Sequence, residues 1–370
     1  MLSASATPVD QMAVTASSRH SGVGAWVLRT GALAAIALSV LVLLLLATGH
    51  DASAALSALA RGAFGSWYAI TSATLVRAVP LALAGLAVAI AFRAGILNVG
   101  AEGQLLMGAA IGAAVAAIVG SPSSTPAAAL AIVVILLAGA LAGGAWAAIA
   151  AVLRQRYGVL EVISTIMLNF LAQYLIGWLV RGPLQEPARI NPQSASLPDA
   201  LHLPVLLEGT RLHMGLLLAI ALAVGAWWWL KETAGGFRLR AVGSNAWAAA
   251  TSGQIRVTRT VMGAFILSGA LAGLAGSVEY TGVTYALYDN FSPGYGFTAI
   301  AVALLARLHP LGVLATALLF GALEAGANAM QRDAGVPSVV VSVVEATLIL
   351  LVVSAERWRS RVVARAESGT

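Results

Sequence analysis

The feature that most constrains this chain is a series of long apolar stretches with little or no charge. Residues 32–47, 127–152 and 339–353 are examples, and they approach or exceed the roughly 20 residues that a helix needs to cross a bilayer. Charged residues make up 10% of the sequence, whereas soluble domains carry roughly 25%. Runs rich in Ala, Leu and Gly are typical of helices that pack closely in lipid. The sequence therefore predicts an all-α integral membrane protein.

Apolar windows between polar interruptions predict about ten transmembrane helices. Their approximate limits are residues 26–48, 74–93, 98–120, 127–152, 158–180, 213–231, 258–278, 295–307, 311–331 and 337–355. Residues 1–25 are rich in Ser, Ala and Thr and lack an apolar core, so we expect a disordered cytoplasmic tail. Residues 26–355 are expected to form the transmembrane domain, and residues 356–370 a basic cytoplasmic tail.

The distribution of basic residues predicts the orientation in the membrane. If the N-terminus is inside, fifteen of the 21 Lys and Arg residues fall on the cytoplasmic side. The remaining six are Arg61, Arg77, Arg181, Arg189, Arg211 and Arg332. Cytoplasmic loops carry an excess of positive charge, so both termini are expected to be cytoplasmic.

Two polar loops interrupt the predicted spans. Residues 181–212 form an external loop with five prolines, which is either an ordered structure over a pore mouth or a passive linker stiffened by proline. Residues 231–260 form a cytoplasmic loop with five basic residues.

Interrupted helices are expected near residues 93–104 and 292–297. Fifteen residues separate Arg77 from Arg93, and as a helix they would rise about 22 Å, short of the roughly 30 Å hydrocarbon core. A second short run follows Pro293 and ends before Pro310. Paired short segments broken by Gly or Pro point to a transport pathway, and tight helix packing at glycine is the alternative.

Polar side chains within the predicted spans are candidates for that pathway, because an unpaired carboxylate at mid-membrane costs at least about 2.5 kcal/mol. Asn98 is expected to cap a helix that begins at Val99, with Glu102 in its first turn. Glu324 and Asn328 share a helix face, as do Asn169 and Gln173, which either contact cargo or join neighbouring helices. Glu161 is interpreted as an interfacial or capping residue, and Glu345 has no assigned role.

Several catalytic classes are excluded by residue counts. Lys231 is the only lysine and lies between Leu230 and Glu232, so the chain has no conventional P-loop for ATP. Cysteine is absent, and no zinc-protease helix or serine-nucleophile elbow is present. We expect no metal site, no cofactor and no enzymatic activity in this chain.

Residues 91–104, AFRAGILNVGAEGQ, resemble the signature of ABC importer permeases in the ribose, nucleoside and branched-chain amino acid transporter superfamily, and most of all the nucleoside branch. Three further stretches share the likeness, namely 240–253, 268–276 and 294–305, and the resemblance covers about residues 70–350. It implies that residues 26–355 are a permease domain that imports nucleosides, with ribose-like sugars as the alternative cargo. An ion-coupled secondary transporter in which Glu102 or Glu324 carries a proton is the other alternative.

The resemblance also implies partners and site residues. Residues 231–260 would carry a coupling helix that docks on an ATPase subunit, through Gly243, Asn245, Trp247, Ala248, Ala249 and Gly253. Trp247 stands where permeases broadly have glutamate. The pathway would include Asn98, Glu102, Gln104, Asn169, Phe297, Thr298 and Glu324. A second, related permease chain, an ABC ATPase and an extracytoplasmic binding protein would complete the assembly in a bacterial-type cell membrane, with no nucleic acid.

Overall fold

The computed structural model describes residues 36, 39–251, 253, 255–337, 339–340, 342–343 and 346–347. Within these residues the regular structure is helical, and extended segments form only three isolated β-bridges. The helices are α1 (Ala52–Phe64), α2 (Leu75–Arg93), α3 (Ala101–Val119), α4 (Thr125–Tyr157), α5 (Glu161–Arg181), α6 (Gly215–Glu232), α7 (Ala234–Ser244), α8 (Ala246–Thr251), α9 (Val257–Glu279), α10 (Tyr295–Leu305) and α11 (Pro310–Ala334). Asp199–Leu201 adds one 3₁₀ turn.

Seven described helices are long and apolar enough to cross a membrane: Ala69–Arg93, Ala101–Val119, Thr125–Tyr157, Glu161–Arg181, Gly215–Glu232, Val257–Thr284 and Pro310–Ala334. Helix α10 is apolar but has 11 residues, which span roughly 16 Å. The prediction of a helical protein with membrane-spanning segments is confirmed. The predicted spans 26–48 and 337–355 lie partly or largely outside the described residues, as do both predicted tails, and the number ten stays a prediction.

The chain divides into two compact units. One comprises Met1–Leu56 and Gln331–Thr370, and in it the Asp51 carboxylate accepts hydrogen bonds from the Ser53 and Ala54 amides at 2.8 and 3.1 Å, which caps the start of α1. The other, Ser57–Met330, contains the remaining features described below.

Helices α2, α3 and α9 form the centre of the larger unit. In the most apolar 18-residue window of the α2 span, 83% of the residues are buried within the protein. In the corresponding window of α6 the buried share is 22%, so α6 lies at the periphery. Helix α9 packs along α3, α4 and α2. A Cβ atom built on Gly273 would overlap the Gly139 carbonyl oxygen and the Gly143 backbone, because α9 and α4 touch through their main chains.

One prediction about α2 is wrong. A π-helical turn, Ala69–Thr74, continues directly into α2, so the span runs for 25 residues and is long enough to cross a bilayer. Arg77 therefore lies inside the span and not at its boundary. A second π-helical turn, Tyr280–Thr284, extends α9 in the same way. Such turns are rare in helices and are frequent at functional sites.

The two ends of the helical layer are distinguished by their loops. Gly243, within residues 231–260, lies against Arg93 at the C-terminus of α2, and we name this the basic end. Helix α9 starts there, so the residues that follow Thr284 lie at the opposite end. Residues 182–214 run along them: the Leu203, Leu197 and Ser194 amides donate to the carbonyls of Thr281, Tyr285 and Leu287 at 2.9, 2.7 and 2.7 Å. These bonds favour the ordered alternative for this loop.

Candidate functional site

The first predicted interruption is present as a non-helical segment, residues 94–100, between α2 and α3. Helix α3 begins at Ala101 with Gly100 as its N-cap, so the predicted start at Val99 is wrong. The reason is local: the Asn98 side-chain oxygen accepts the Gly100 amide at 3.0 Å and closes a turn before the helix begins.

Asn98 is the centre of a buried hydrogen-bond cluster. Its amide nitrogen donates to the Gln104 side-chain oxygen at 3.1 Å and to the Ser268 hydroxyl at 3.0 Å, and its oxygen accepts from Gln104 at 3.0 Å. All three side chains are at most 1% exposed. Ser268 lies eleven residues into α9, or roughly 16 Å, so the cluster is well inside the helical layer.

Asn169 fastens α5 to the same interruption. Its side-chain oxygen accepts the Gly103 amide at 2.8 Å, and its side-chain nitrogen donates to the Val99 carbonyl at 3.0 Å. These bonds join neighbouring helices. This is one of the two roles that the sequence predicts for Asn169, the other being contact with cargo. Gln173, one turn further along α5, donates to the Asn290 side chain at 3.1 Å.

Glu102 connects the two interruptions. Its carboxylate accepts the Gly296 amide at 2.7 Å, in the first turn of α10. A Cβ atom on Gly296 would overlap the Glu102 backbone, so the glycine permits the contact. The carboxylate is 6% exposed and lies at the N-terminus of α10, where the helix dipole favours negative charge.

The other end of α10 is held by Arg93. The Arg93 Nε donates to the Leu308 carbonyl at 2.8 Å, just beyond the C-terminus of α10. Arg307 and Leu308 have φ angles of 53° and 58°, a left-handed conformation that is costly for residues other than glycine. Residues 93–102 therefore bind both ends of α10.

We name residues 231–260 the basic loop. Gly243 of this loop contacts the end of α2 through its main chain. A Cβ atom on Gly243 would overlap the Arg93 carbonyl oxygen, and one on Gly95, whose φ is +73°, would lie 3.4 Å from the Gly243 Cα. Helix α7 is thus in direct main-chain contact with the point where α2 ends. No side chain therefore lies between α7 and residues 93–95 at this contact.

The rest of the predicted coupling residues lie around the short helix α8. Asn245 separates α7 from α8 and caps α8, since its side-chain oxygen accepts the Ala248 amide at 3.0 Å. Trp247 is 77% exposed, whereas Ala249 is buried. Ala248 is exposed, and Gly253 follows with a φ of +70° and open space around it.

Three predicted pathway residues stand apart from the Asn98 cluster. Phe297 is 47% exposed and Thr298 half-buried, both in the first turn of α10. Glu324 is half-buried on α11, and its carbonyl accepts from the Asn328 side chain at 3.0 Å. Glu161 forms an ion pair with Arg154 at 3.4 Å, in keeping with an interfacial role. Glu345 lies outside the described residues.

A polar cluster nearer the opposite end is missed by the sequence reasoning. Glu279, the last residue of α9, is 4% exposed, and both Arg77 and Arg211 act on it electrostatically. The predicted span stops at residue 278, which hides the fact that this acid is buried. Two features of the sequence point to this cluster. One is the pair Glu279–Tyr280 directly after an apolar run, and the other is the arginine inside α2.

His213 lies beside the second π-helical turn. Its ring packs against Gly215 and Gly282, where a Cβ atom would come within 2.6–2.8 Å of ring atoms. Burial, reinforced by Arg211, lowers the pKa of His213 to about 4, so the ring is neutral near pH 7. Metal binding has no support in the part of the chain that the structure describes, where no three His, Asp or Glu side chains cluster as ligands.

Comparison with known proteins identifies relatives of this chain. The family model described as branched-chain amino acid transport system / permease component matches residues 70–353. The chain is 40% identical over 335 residues to the glucose ABC transporter permease protein TsgB13 of Haloferax volcanii, which is 86% of this chain and 87% of the relative. It is 38% identical over 318 residues to the guanosine ABC transporter permease protein NupP of Bacillus subtilis, 84% and 88% of the two chains. A second guanosine permease of that organism, NupQ, is 30% identical over 258 residues, 68% and 79%. No solved structure matches the chain.

Proposed function

We propose, on the premise that this chain belongs to the branched-chain amino acid transport system / permease component family, that it is the membrane-spanning subunit of an ATP-driven nucleoside importer. The family is one of multi-pass membrane permeases, in keeping with the seven apolar helices. Similarity to guanosine permeases at 38% and 30% identity supports the cargo. Family membership favours this reading over an ion-coupled secondary transporter.

The observation that carries the proposal is the main-chain contact between Gly243 and Arg93. ATP hydrolysis requires a site that this chain lacks, since its only lysine is outside any P-loop. Energy must therefore enter from a partner, and a permease needs a rigid link from the partner surface to the pathway. Helix α7 supplies that link, because it touches the end of α2 directly and α2 leads into residues 94–100.

The partner surface is the basic loop around α8. Trp247 exposes three quarters of its surface on a capped helix, and a large exposed aromatic side chain is a typical anchor at an interface. We place an ABC ATPase on this surface, which makes the basic end cytoplasmic. From the distribution of arginine we propose that both chain termini are cytoplasmic as well. Residues 182–214 are then external and face a substrate-binding protein.

The pathway is assigned to the interrupted helices. The Asn98 cluster lies at mid-depth, and residues 93–102 hold α10 at both ends, so these elements move together when α7 moves. We assign Phe297 and Thr298, exposed and half-buried in the first turn of α10, to the surface on which a second permease chain completes the path. Two guanosine permeases in one organism support a pair of related chains as the working unit.

A hexose is the second candidate cargo, because the chain is 40% identical to a glucose permease. A competition experiment separates the two. The complete complex, with its ATPase, second permease and binding protein, takes up radiolabelled guanosine in the presence of excess unlabelled guanosine, glucose or leucine. We expect guanosine to abolish uptake, and glucose and leucine to leave it unchanged. Labelled glucose uptake that resists nucleosides would contradict the nucleoside assignment.

A further inference from the structure

The buried carboxylate of Glu279 is the polar group that the proposed coupling path leaves unexplained. One of its oxygens, Oε2, is buried and accepts no hydrogen bond from any protein group in the described residues. A buried acceptor left without a donor costs free energy, and a hydrogen-bond donor on a bound ligand would recover that cost.

Glu279 belongs to a polar group centred on Tyr295, whose charged neighbours lie on three other helices. The Tyr295 hydroxyl on α10 interacts electrostatically with Glu279, with Glu324 on α11 and with Arg77 on α2. Tyr295 is 7% exposed, so its phenol is buried with the carboxylate. Two of these helices, α2 and α10, are also connected to Gly243 of the basic loop through residues 93–102.

The charges at this cluster favour a neutral ligand. Arg77 and Arg211 both act on Glu279 electrostatically and offset part of the cost of burying its charge. Glu279 Oε2 keeps an unused capacity to accept hydrogen bonds. The phenol of Tyr295, which interacts electrostatically with Glu279, can both donate and accept.

The depth of Glu279 suits an entry position. It lies 22 residues into α9, roughly 33 Å from the start of that helix at the basic end, whereas Ser268 of the Asn98 cluster lies at roughly 16 Å. Cargo that enters from the opposite end reaches Glu279 before it reaches Asn98. Residues 182–214 are bonded beside it through Arg211, whose amide donates to the Ser72 hydroxyl at 3.0 Å.

We propose that Glu279 and Tyr295 form a subsite for the vicinal hydroxyl groups of a sugar ring on the translocation path. This rests on the proposed function, whose two candidate cargoes, nucleoside and hexose, share such hydroxyls. A hydroxyl of the sugar donates to Glu279 Oε2, and the Tyr295 phenol bonds its neighbour. A hydrogen bond to the carboxylate in its ionised form is about twice as strong as a neutral one, so Glu279 in that form provides most of the selectivity.

The test compares two variants with substrates that differ only in ring hydroxyls. Glu279→Gln removes the charge, and Tyr295→Phe removes one hydroxyl but keeps the ring. Uptake by the complete complex is measured with guanosine and with 2′,3′-dideoxyguanosine, or with glucose and its deoxy analogue if glucose is the cargo. We expect Glu279→Gln to lower uptake of the hydroxylated substrate about tenfold and to change uptake of the deoxy substrate less than about twofold. Tyr295→Phe should likewise lower uptake of the hydroxylated substrate more than uptake of the deoxy substrate.

The control is Glu208→Gln, an exposed acid at the same end, which should leave both rates unchanged. If the binding protein rejects the deoxy analogue, the same comparison is made on the purified membrane complex without it, from the rise in melting temperature at millimolar substrate. The proposal is overturned if both substrates lose uptake equally, as a purely structural ion pair would give, or if neither changes. Uptake by the wild-type complex is measured as well. If this complex takes up no sugar-bearing substrate at all, the proposed function fails together with the proposed subsite.

Discussion

The Arg93 guanidinium donates through Nε to the Leu308 carbonyl at 2.8 Å, and so ties the end of α2 to the turn that follows α10. The two residues are 215 positions apart in sequence. Residues 307 and 308 are both left-handed, and the Leu308 amide bonds back to the Ala303 carbonyl at 2.8 Å. The turn is therefore a strained structure that Arg93 stabilises, and movement of α10 away from α2 requires this bond to break.

Arg93→Gln should uncouple transport from ATP hydrolysis. The variant loses a hydrogen bond to a charged donor, worth about 1.5–3 kcal/mol, and α10 then no longer follows α2. We expect uptake to fall about tenfold or more while ATP hydrolysis by the assembled complex changes less than about twofold. Both rates are measured on the same proteoliposomes. Arg156→Gln, an exposed arginine near the C-terminus of α4 at the same end but outside residues 231–260, is the matched control and should alter neither rate. Equal loss of both rates would instead mean that Arg93 is needed for assembly.

Gly243→Ala tests the main-chain contact between α7 and α2. The new methyl group would overlap the Arg93 carbonyl oxygen, and overpacking of this kind costs about 1–3 kcal/mol. We expect a lower melting temperature in detergent and weaker retention of the ATPase during purification. Gly263→Ala in α9 is the control, because a methyl group there would meet no neighbouring element within 4 Å. That change should be neutral or stabilising by up to about 1 kcal/mol. A Gly243→Ala protein with wild-type melting would disprove the contact.

Trp247→Ala should weaken docking without loss of permease stability. Trp247 is 77% exposed, so its removal costs the isolated chain little, whereas an interface anchor contributes about 2 kcal/mol or more. We expect affinity for the ATPase to fall about 30-fold, measured by titration of the purified subunits. Trp67, 68% exposed at the opposite end, provides the control Trp67→Ala. Unchanged affinity for Trp247→Ala would remove the tryptophan from the docking surface.

His213 makes the opposite end sensitive to acid. Its pKa is about 4 when folded and 6.5 in the unfolded chain, so below pH 6.5 the unfolded state binds more protons. The stability that depends on neutral His213 is complete above pH 6.5 and is lost as the pH falls towards 4. The loss at pH 5 is about 2 kcal/mol. Melting curves at pH 7.5 and 5.0 should show a smaller pH effect for His213→Gln than for the wild type. Identical pH profiles would refute this account.

The helices of this protein could be predicted from its sequence. A long apolar run in lipid must satisfy its own backbone hydrogen bonds, and it therefore folds as a helix. The interruption at residues 94–100 also follows, since Gly95, Asn98 and Gly100 break the pattern within a few positions. Contacts between distant positions could not be predicted. Nothing in the sequence places Arg93 beside Leu308, or Glu102 beside Gly296, because these pairings depend on how α10 packs against α2 and α3.

The errors have physical causes as well. The apolar pattern puts Arg77 at a span boundary, but the π-helical turn Ala69–Thr74 carries the helix past it, and nearby polar groups accommodate its charge. Glu279 is missed for the related reason that the second π-helical turn prolongs α9 beyond the apolar run. A π-helical turn has no simple sequence period, so the pattern predicts both helices too short.

The central claim is that this chain moves its cargo only when an ATPase drives it. The most direct measurement is guanosine uptake into proteoliposomes that hold the complete complex, with ATP or a non-hydrolysable analogue on the side of the ATPase. The account predicts uptake with ATP and none with the analogue. Equal uptake in both conditions, or uptake by this chain alone, would contradict it.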